Sequence, residues 1–166
     1  LMVDEACRGL AGVSASQVEM TSGIQFYDGI TTEEIQEILI KSASDLIDLD
    51  HANYQFVAAR LLLFSLRKQL FGKMHELPNL TDHITKLAYD NIYDKDIFSQ
   101  YSLEEILKAE TYVDHNRDYL FTYAGLRQVV DKYLVQDRST GEVYETPQFM
   151  YIMIALTMFR HYPKDT

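Results

Sequence analysis

The chain has 166 residues, of which 47% are hydrophobic, so it can build a substantial core as one domain or two small ones. Its formal net charge of −10 excludes long nucleic acid as an expected partner, because an acidic surface repels phosphate backbones. The single cysteine, Cys7, excludes an internal disulfide and a thiolate metal cluster, and it fits a reduced, cytoplasmic setting.

The first predicted helices are short. Residues 1–9 resemble the last turns of a helix that ends at Gly9. Either Ser14 or Ser16 can begin the next helix, and Ser16 has capping-box spacing to Glu19.

The block from Thr31 to Lys73 predicts two consecutive helices. Thr31 and Glu34 have capping-box spacing, and apolar residues then recur with helical periodicity as far as Ile47. A second helix follows Asn53 and is predicted to end at Gly72; it is apolar on most sides, which predicts that it is buried among other elements.

Two basic residues, Arg67 and Lys68, lie near the end of this second helix. The simplest interpretation is that both complement the helix dipole and stay solvated. The alternative is that they form a local basic site for an anionic small molecule, which the overall acidity does not exclude.

The second half of the chain predicts further helices at Leu80–Tyr89, from Ser102 to about Val113 and at Tyr123–Tyr133. Two β-prone runs flank a glycine-bearing loop and predict one β-hairpin at residues 133–145. Thr146 and Pro147 then begin a last helix. Its apolar run, Phe149–Phe159, is about half the length needed to span a bilayer, so we expect a buried core helix and no membrane partner.

The sequence contains few motifs that are typical of catalysis, metal binding or phosphate binding. No two histidines have the spacing that places two metal ligands on one helix face, so we expect no metal in this segment. Phosphate-binding P-loop and dinucleotide-binding glycine motifs are absent from the sequence. From these features alone, a non-catalytic helical module that presents an acidic face to a protein partner is a reasonable interpretation.

The order of short motifs along the whole chain nevertheless resembles the large subunit of class I ribonucleotide reductases. The segments that carry this resemblance are residues 13–19, 24–30, 44–47, 53–60, 66–68, 114–118, 132–136, 140–144 and 148–152. In that family an ATP cone, a short β-sheet capped by a helical bundle, binds ATP to activate the enzyme and dATP to inhibit it. A helical domain follows, and then an α/β barrel with the catalytic cysteines.

The resemblance implies that residues 1–73 are the helices of a truncated ATP cone and that residues 74–166 begin the helical domain. The fold is therefore expected to be mainly α, a helical bundle followed by further helices and the hairpin. The cone strands would be missing, so these 166 residues should bind ATP or dATP weakly or not at all.

The resemblance also assigns an allosteric nucleotide site. Thr32 takes the position of a threonine at the nucleotide, and Ile35 and Gln36 face the nucleoside. Phe64 lines the pocket and Lys68 contacts the phosphates; their i, i+4 spacing places them on one helix face.

No catalytic residue is expected in this segment, because the reaction needs three thiols and Cys7 is the only one. The parent protein would be an enzyme that reduces ribonucleotides by radical chemistry. The implied partners are the remainder of the large subunit and the small subunit that carries the radical.

Overall fold

The computed structural model describes residues 2–162, and within that range the predicted mainly α fold is confirmed. The helices, in chain order, are α1 (Met2–Cys7), α2 (Ala15–Gly23), α3 (Thr32–Asp45), α4 (Tyr54–Phe71), α5 (Leu80–Tyr89), α6 (Ile97–Gln100), α7 (Leu103–Glu110), α8 (Tyr123–Lys132) and α9 (Pro147–Phe159). A 3-10 helix, His115–Leu120, lies between α7 and α8.

The chain divides into two compact units. Among the described residues, the first unit contains residues 2–74 together with Asn116–Tyr133, and so holds α1–α4 and α8. Among the described residues, the second unit contains His75–His115 and residues 134–162, and so holds α5–α7 and α9. The segment 116–133 thus belongs to the first unit although the chain on both sides of it belongs to the second.

Helix α4 lies at the centre of the first unit. It packs against α1, α3 and α8, which confirms the prediction that a helix so apolar on most sides is buried. Its fully covered side chains include Val57, Leu61, Leu63 and Phe64. Burying a large apolar side chain of this kind contributes about 1.5–3 kcal/mol, so α4 holds the unit together.

The helix termini follow the sequence signals. The side chain of Ser14, rather than that of Ser16, begins α2 by accepting a hydrogen bond from the Gln17 amide. The capping box predicted at Thr31 forms, and a second capping box forms at Ser102, where the α7 helix was predicted to begin. Gly72 ends α4 in the left-handed region with φ of 70°, which glycine adopts without a steric penalty.

In the second unit, α5 packs against α7. The amide and hydroxyl of Thr81 both donate to one carboxylate oxygen of Glu110, at 3.0 and 2.8 Å. Helix α7 ends at Glu110, earlier than predicted, and the Thr111 hydroxyl donates to the Lys108 carbonyl. The cause is the run Thr111–Val113, whose β-branched and aromatic residues have low helix propensity.

The predicted hairpin is present in minimal form. Gln136 and Val143 form an isolated antiparallel bridge, and backbone hydrogen bonds join Asp137 to Glu142 and Tyr144 to Val135. Gly141 has φ of 78°, the left-handed conformation that closes the loop. The pairing does not extend into strands, and the Val135 amide donates to the side chain of Glu145.

The prediction that α9 is a buried core helix is wrong. Only its first turn is buried, while Tyr151, Ile154, Met158 and Phe159 are exposed within the part of the chain that the structure describes. The helix is apolar all round, but the described residues pack against one side of it only. Among residues 2–162, no helix combines the length and apolar character needed to cross a bilayer.

Candidate functional site

The predicted site begins at the N-terminus of α3. Thr31 accepts from the Glu34 amide, and the Glu34 carboxylate accepts from the Thr31 amide at 2.8 Å and from the Tyr27 hydroxyl at 2.9 Å. These hydrogen bonds, those from Thr31 foremost, lower the pKa of Glu34. Because Thr31 supplies the cap, the exposed hydroxyl of Thr32, the first residue of the helix, is not needed for it.

The next two predicted residues lie one turn further along α3. Ile35 is half-buried and packs against the core of the first unit, and Gln36 is buried with 7% of its surface exposed. A glutamine so well covered carries a polar amide into an apolar region, which normally requires a hydrogen-bonding partner. Gln36 is therefore a polar residue that the core of the first unit has to accommodate.

Helix α4, which packs against α3, carries the other two predicted residues. Phe64 has no exposed surface, and Lys68 is half-buried in the last turn of the helix. The helix is continuous through both positions, so their i, i+4 relation holds. That the five side chains share one ligand stays a prediction.

The structure corrects the interpretation that Arg67 and Lys68 both stay solvated. The Arg67 side chain is buried, and its Nη2 lies 3.3 Å from Oδ2 of Asp118, which is also buried. Its Nη1 donates to the Tyr119 hydroxyl at 3.4 Å. Only folding brings these residues together, and no periodicity in the sequence signals the pair.

A cavity of about 240 Å³ lies in the first unit, lined by Glu5, Arg8, Arg60, Phe64 and Tyr119. Of the five predicted site residues, only Phe64 lines it. Arg60 is anchored beside the cavity, because its Nη1 donates to the carbonyls of Ala6 and Arg8 at 3.0 and 2.8 Å. Apart from Phe64, the residues that line this cavity did not stand out in the sequence.

The second unit contains a buried polar cluster. The Tyr93 hydroxyl donates to Oε2 of Glu145, whose Oε1 accepts from the Val135 amide at 2.8 Å. Nε2 of His83 lies 3.5 Å from the same hydroxyl, and the imidazole stacks on Phe149 with ring centroids 4.3 Å apart. Burial raises the pKa of Tyr93 and of Glu145 above their usual ranges. The cluster ties the hairpin to α5 and α9.

We expect this cluster to make the stability of the chain pH-dependent. Burial lowers the pKa of His83 to about 4, from 6.5. Between these values the unfolded state binds more protons than the folded state, so the stability is present above pH 6.5 and is lost as the pH falls toward 4. The loss is at most about 3 kcal/mol, since a tenfold change in proton affinity is worth about 1.4 kcal/mol.

A variant isolates this contribution. Glu145 changes the stability with pH in the opposite sense, because its folded-state pKa is raised. The contribution of His83 is therefore isolated with His83→Phe, which keeps a ring stacked on Phe149. Urea unfolding followed by circular dichroism at pH 7, 5 and 4 should show a smaller acid-induced loss in the variant. An equal loss in both chains would show that His83 is not the titrating group.

A second concave surface, the α7–α9 groove, lies within the second unit and has a volume of about 700 Å³. It is mostly apolar, with Glu105 and Lys108 among its lining residues, and the Tyr101 hydroxyl donates to the Leu156 carbonyl at 2.7 Å. Within residues 2–162, no three His, Cys, Asp or Glu side chains are grouped to hold a metal ion.

Two family models match this chain. The ATP cone domain matches residues 2–69, which include α1–α3, most of α4 and all five predicted site residues. The ribonucleotide reductase all-alpha domain matches residues 119–165, which include Tyr119, α8, the hairpin and α9.

Curated relatives match nearly the whole chain. The chain is 48% identical over 165 residues to ribonucleoside-diphosphate reductase 1 subunit alpha of Escherichia coli, covering 99% of this chain and 22% of the relative. It is 47% identical to the Haemophilus influenzae subunit alpha, covering 97% and 21%, and 42% identical to that of Enterobacteria phage T4, covering 93% and 21%. The chain thus spans about a fifth of the length of these relatives, and it belongs to the ribonucleotide reductase large-subunit family, with its ATP cone match at residues 2–69.

Proposed function

We propose that this chain is the nucleotide-sensing part of a ribonucleoside-diphosphate reductase large subunit, in which ATP activates and dATP inhibits the enzyme. The observation that carries the proposal is the cone match over residues 2–69, the stretch that contains the packed pair α3 and α4. The parent protein would reduce ribonucleotides to deoxyribonucleotides, and the chemistry would take place on residues outside this chain, which has one cysteine.

The proposed effector site lies on α3 and α4. Thr32 would contact the nucleotide from the start of α3, where the helix dipole favours an anionic ligand. Ile35 and Gln36 would face the nucleoside, an apolar surface beside an amide that can hydrogen-bond a base or a sugar.

Helix α4 would supply the remaining contacts. Phe64, whose side chain is fully buried in the core of the first unit, would form the apolar wall behind the ligand. Lys68 would provide the ammonium group for the phosphates. In a chain with a net charge of −10, such a local cation is what permits the binding of an anion.

A role as part of a reductase large subunit implies protein partners and a location in the cell. The partners are the remainder of the large subunit and the small, radical-bearing subunit. The domains would be the cone at residues 1–73 and the beginning of the helical domain at residues 74–166. A cytoplasmic location fits a chain with a single cysteine, Cys7, that is unpaired.

Lys68→Ala in the full-length large subunit tests the proposed site. Loss of a charge-assisted hydrogen bond to phosphate costs about 1.5–3 kcal/mol, so the affinity for dATP should fall at least about tenfold. Isothermal titration calorimetry with dATP gives the affinity directly.

The matched control is Lys41→Ala, which removes an exposed lysine of α3 that pairs with Asp45 at 2.9 Å. This variant should bind dATP as the unmodified protein does. If Lys68→Ala also binds dATP with undiminished affinity, the phosphates are held elsewhere and the assignment of the site is wrong.

A further inference from the structure

Three residues on one face of α4 converge on a single aromatic ring. Arg60, Phe64 and Arg67 are spaced i, i+4 and i+7, which places them on one side of the helix. The guanidinium carbons of Arg60 and Arg67 lie 5.6 and 5.4 Å from the centroid of the Tyr119 ring. The Phe64 ring meets it edge-on, with centroids 6.1 Å apart. Tyr119 is therefore held by two cation–π contacts and one aromatic contact.

The neighbouring residue strengthens this attachment. Asp118 is 1% exposed and pairs with Arg67, which is 3% exposed, at 3.3 Å. A buried ion pair has a narrow range of acceptable geometries, because displacing either partner leaves a charge uncompensated in the interior. Asp118 and Tyr119 thus fix the chain at residues 118–119 to α4 in a defined position.

Asp118 and Tyr119 lie in the chain near the boundaries of the family matches and of the two compact units. The cone match ends at residue 69 and the all-alpha match begins at residue 119. The chain passes from the second compact unit into the first between His115 and Asn116 and returns between Tyr133 and Leu134. Only Asn116 and Arg117 separate Asp118 from His115, so the attachment to α4 lies close to the point where the chain changes unit.

We propose that Tyr119, supported by Asp118, is a positioning residue that transmits nucleotide occupancy of the cone to the all-alpha domain. This inference rests on the proposed function, in which Phe64 and Lys68 of α4 hold the effector. Phe64 belongs to both sets of contacts, because its ring touches Tyr119 and would stand behind the nucleotide. A shift of Phe64 on binding changes the surroundings of Tyr119 directly, which supplies the physical connection that coupling between sites requires.

The test uses the full-length large subunit with its small subunit and the variant Tyr119→Leu. Nucleotide affinity is measured by calorimetry, and the response to ATP and dATP is measured as the change in the rate of ribonucleotide reduction. We expect the affinity to stay within about threefold of the unmodified value while the effector response falls about tenfold, a typical size for allosteric coupling. The matched control is Tyr89→Leu, which removes an exposed tyrosine of α5 and should change neither quantity.

Each outcome decides between named alternatives. A normal response in Tyr119→Leu overturns the proposal. A parallel loss of affinity and response also overturns it, because Tyr119 would then belong to the nucleotide site itself. If the unmodified protein binds neither ATP nor dATP, the proposed function fails, which is a different result from failure of the coupling.

A second measurement needs no variant and decides the question even if Tyr119→Leu does not fold. Hydrogen exchange of the unmodified full-length subunit is followed with and without dATP. Amides of residues 116–122 should exchange at least about tenfold more slowly with the nucleotide bound, because ordering at α4 stabilises the segment attached to it. Unchanged exchange in this segment under saturating dATP overturns the proposal.

Discussion

Replacing Asp118 with alanine should lower the free energy of unfolding by about 3–5 kcal/mol, the cost of leaving a buried charge without its partner. In the folded chain the Arg67 guanidinium would remain in the interior, where it is 3% exposed, and would lose the carboxylate that lies 3.3 Å away. Urea unfolding monitored by circular dichroism measures the change. The loss should exceed that of Asp45→Ala, which breaks an exposed ion pair with Lys41.

The double variant Arg67→Met with Asp118→Leu separates charge from packing. Replacing both partners with apolar residues of similar volume removes the uncompensated charge, so it should cost less than Asp118→Ala alone. A double variant as unstable as the single one would contradict the idea that the buried charge dominates. It would point instead to the contacts that Arg67 makes with Tyr119.

Replacing Phe64 with alanine should also cost about 3–5 kcal/mol, because it leaves a cavity in the core of the first unit. The ring has no exposed surface and meets Tyr119 edge-on. Phe64→Leu keeps an apolar side chain and most of the volume, so we expect it to cost at most about 1.5 kcal/mol. Thermal or urea unfolding of the three chains gives the comparison.

Phe64→Leu also separates the two roles assigned to this residue. If the ring contacts the nucleotide, dATP affinity in the full-length subunit should fall although the variant is still folded. If affinity is unchanged and only stability falls, Phe64 is a core residue alone. A loss in Phe64→Ala of less than about 1 kcal/mol would mean that the core collapses around the missing ring.

The sequence predicted the helices well where the signal is local. Capping boxes at Thr31 and Ser102 and the terminating glycine Gly72 depend on residues within a few positions of each other, so they can be recognised without a tertiary structure. The hairpin was also predicted, but its length was not. The sequence pattern marks the two β-prone runs but not how many of their residues pair, and in the structure they form one isolated bridge, between Gln136 and Val143.

Only part of the geometry of the predicted site could be predicted from the sequence. The i, i+4 relation of Phe64 and Lys68 follows from helical geometry once α4 is recognised. The complete burial of Phe64 does not, because its ring is covered by distant parts of the chain, among them Tyr119, which lies 55 positions further along. For the same reason Arg60 and Tyr119 were not recognised as lining a cavity.

By itself, the sequence determined the class of fold, the helix boundaries to within a few residues and the family. Periodicity, helix caps and the order of motifs can all be recognised from the sequence without knowing which distant segments pack together. Only the tertiary structure decided which polar residues are buried: Arg67 with Asp118, and Tyr93 with Glu145 and His83. It also decided that most of α9 is exposed among the described residues. The physical reason is the same for the two buried polar clusters and for α9: burial depends on which distant segments come together. In addition, a helix that is apolar all round has no periodicity to indicate which side will be covered.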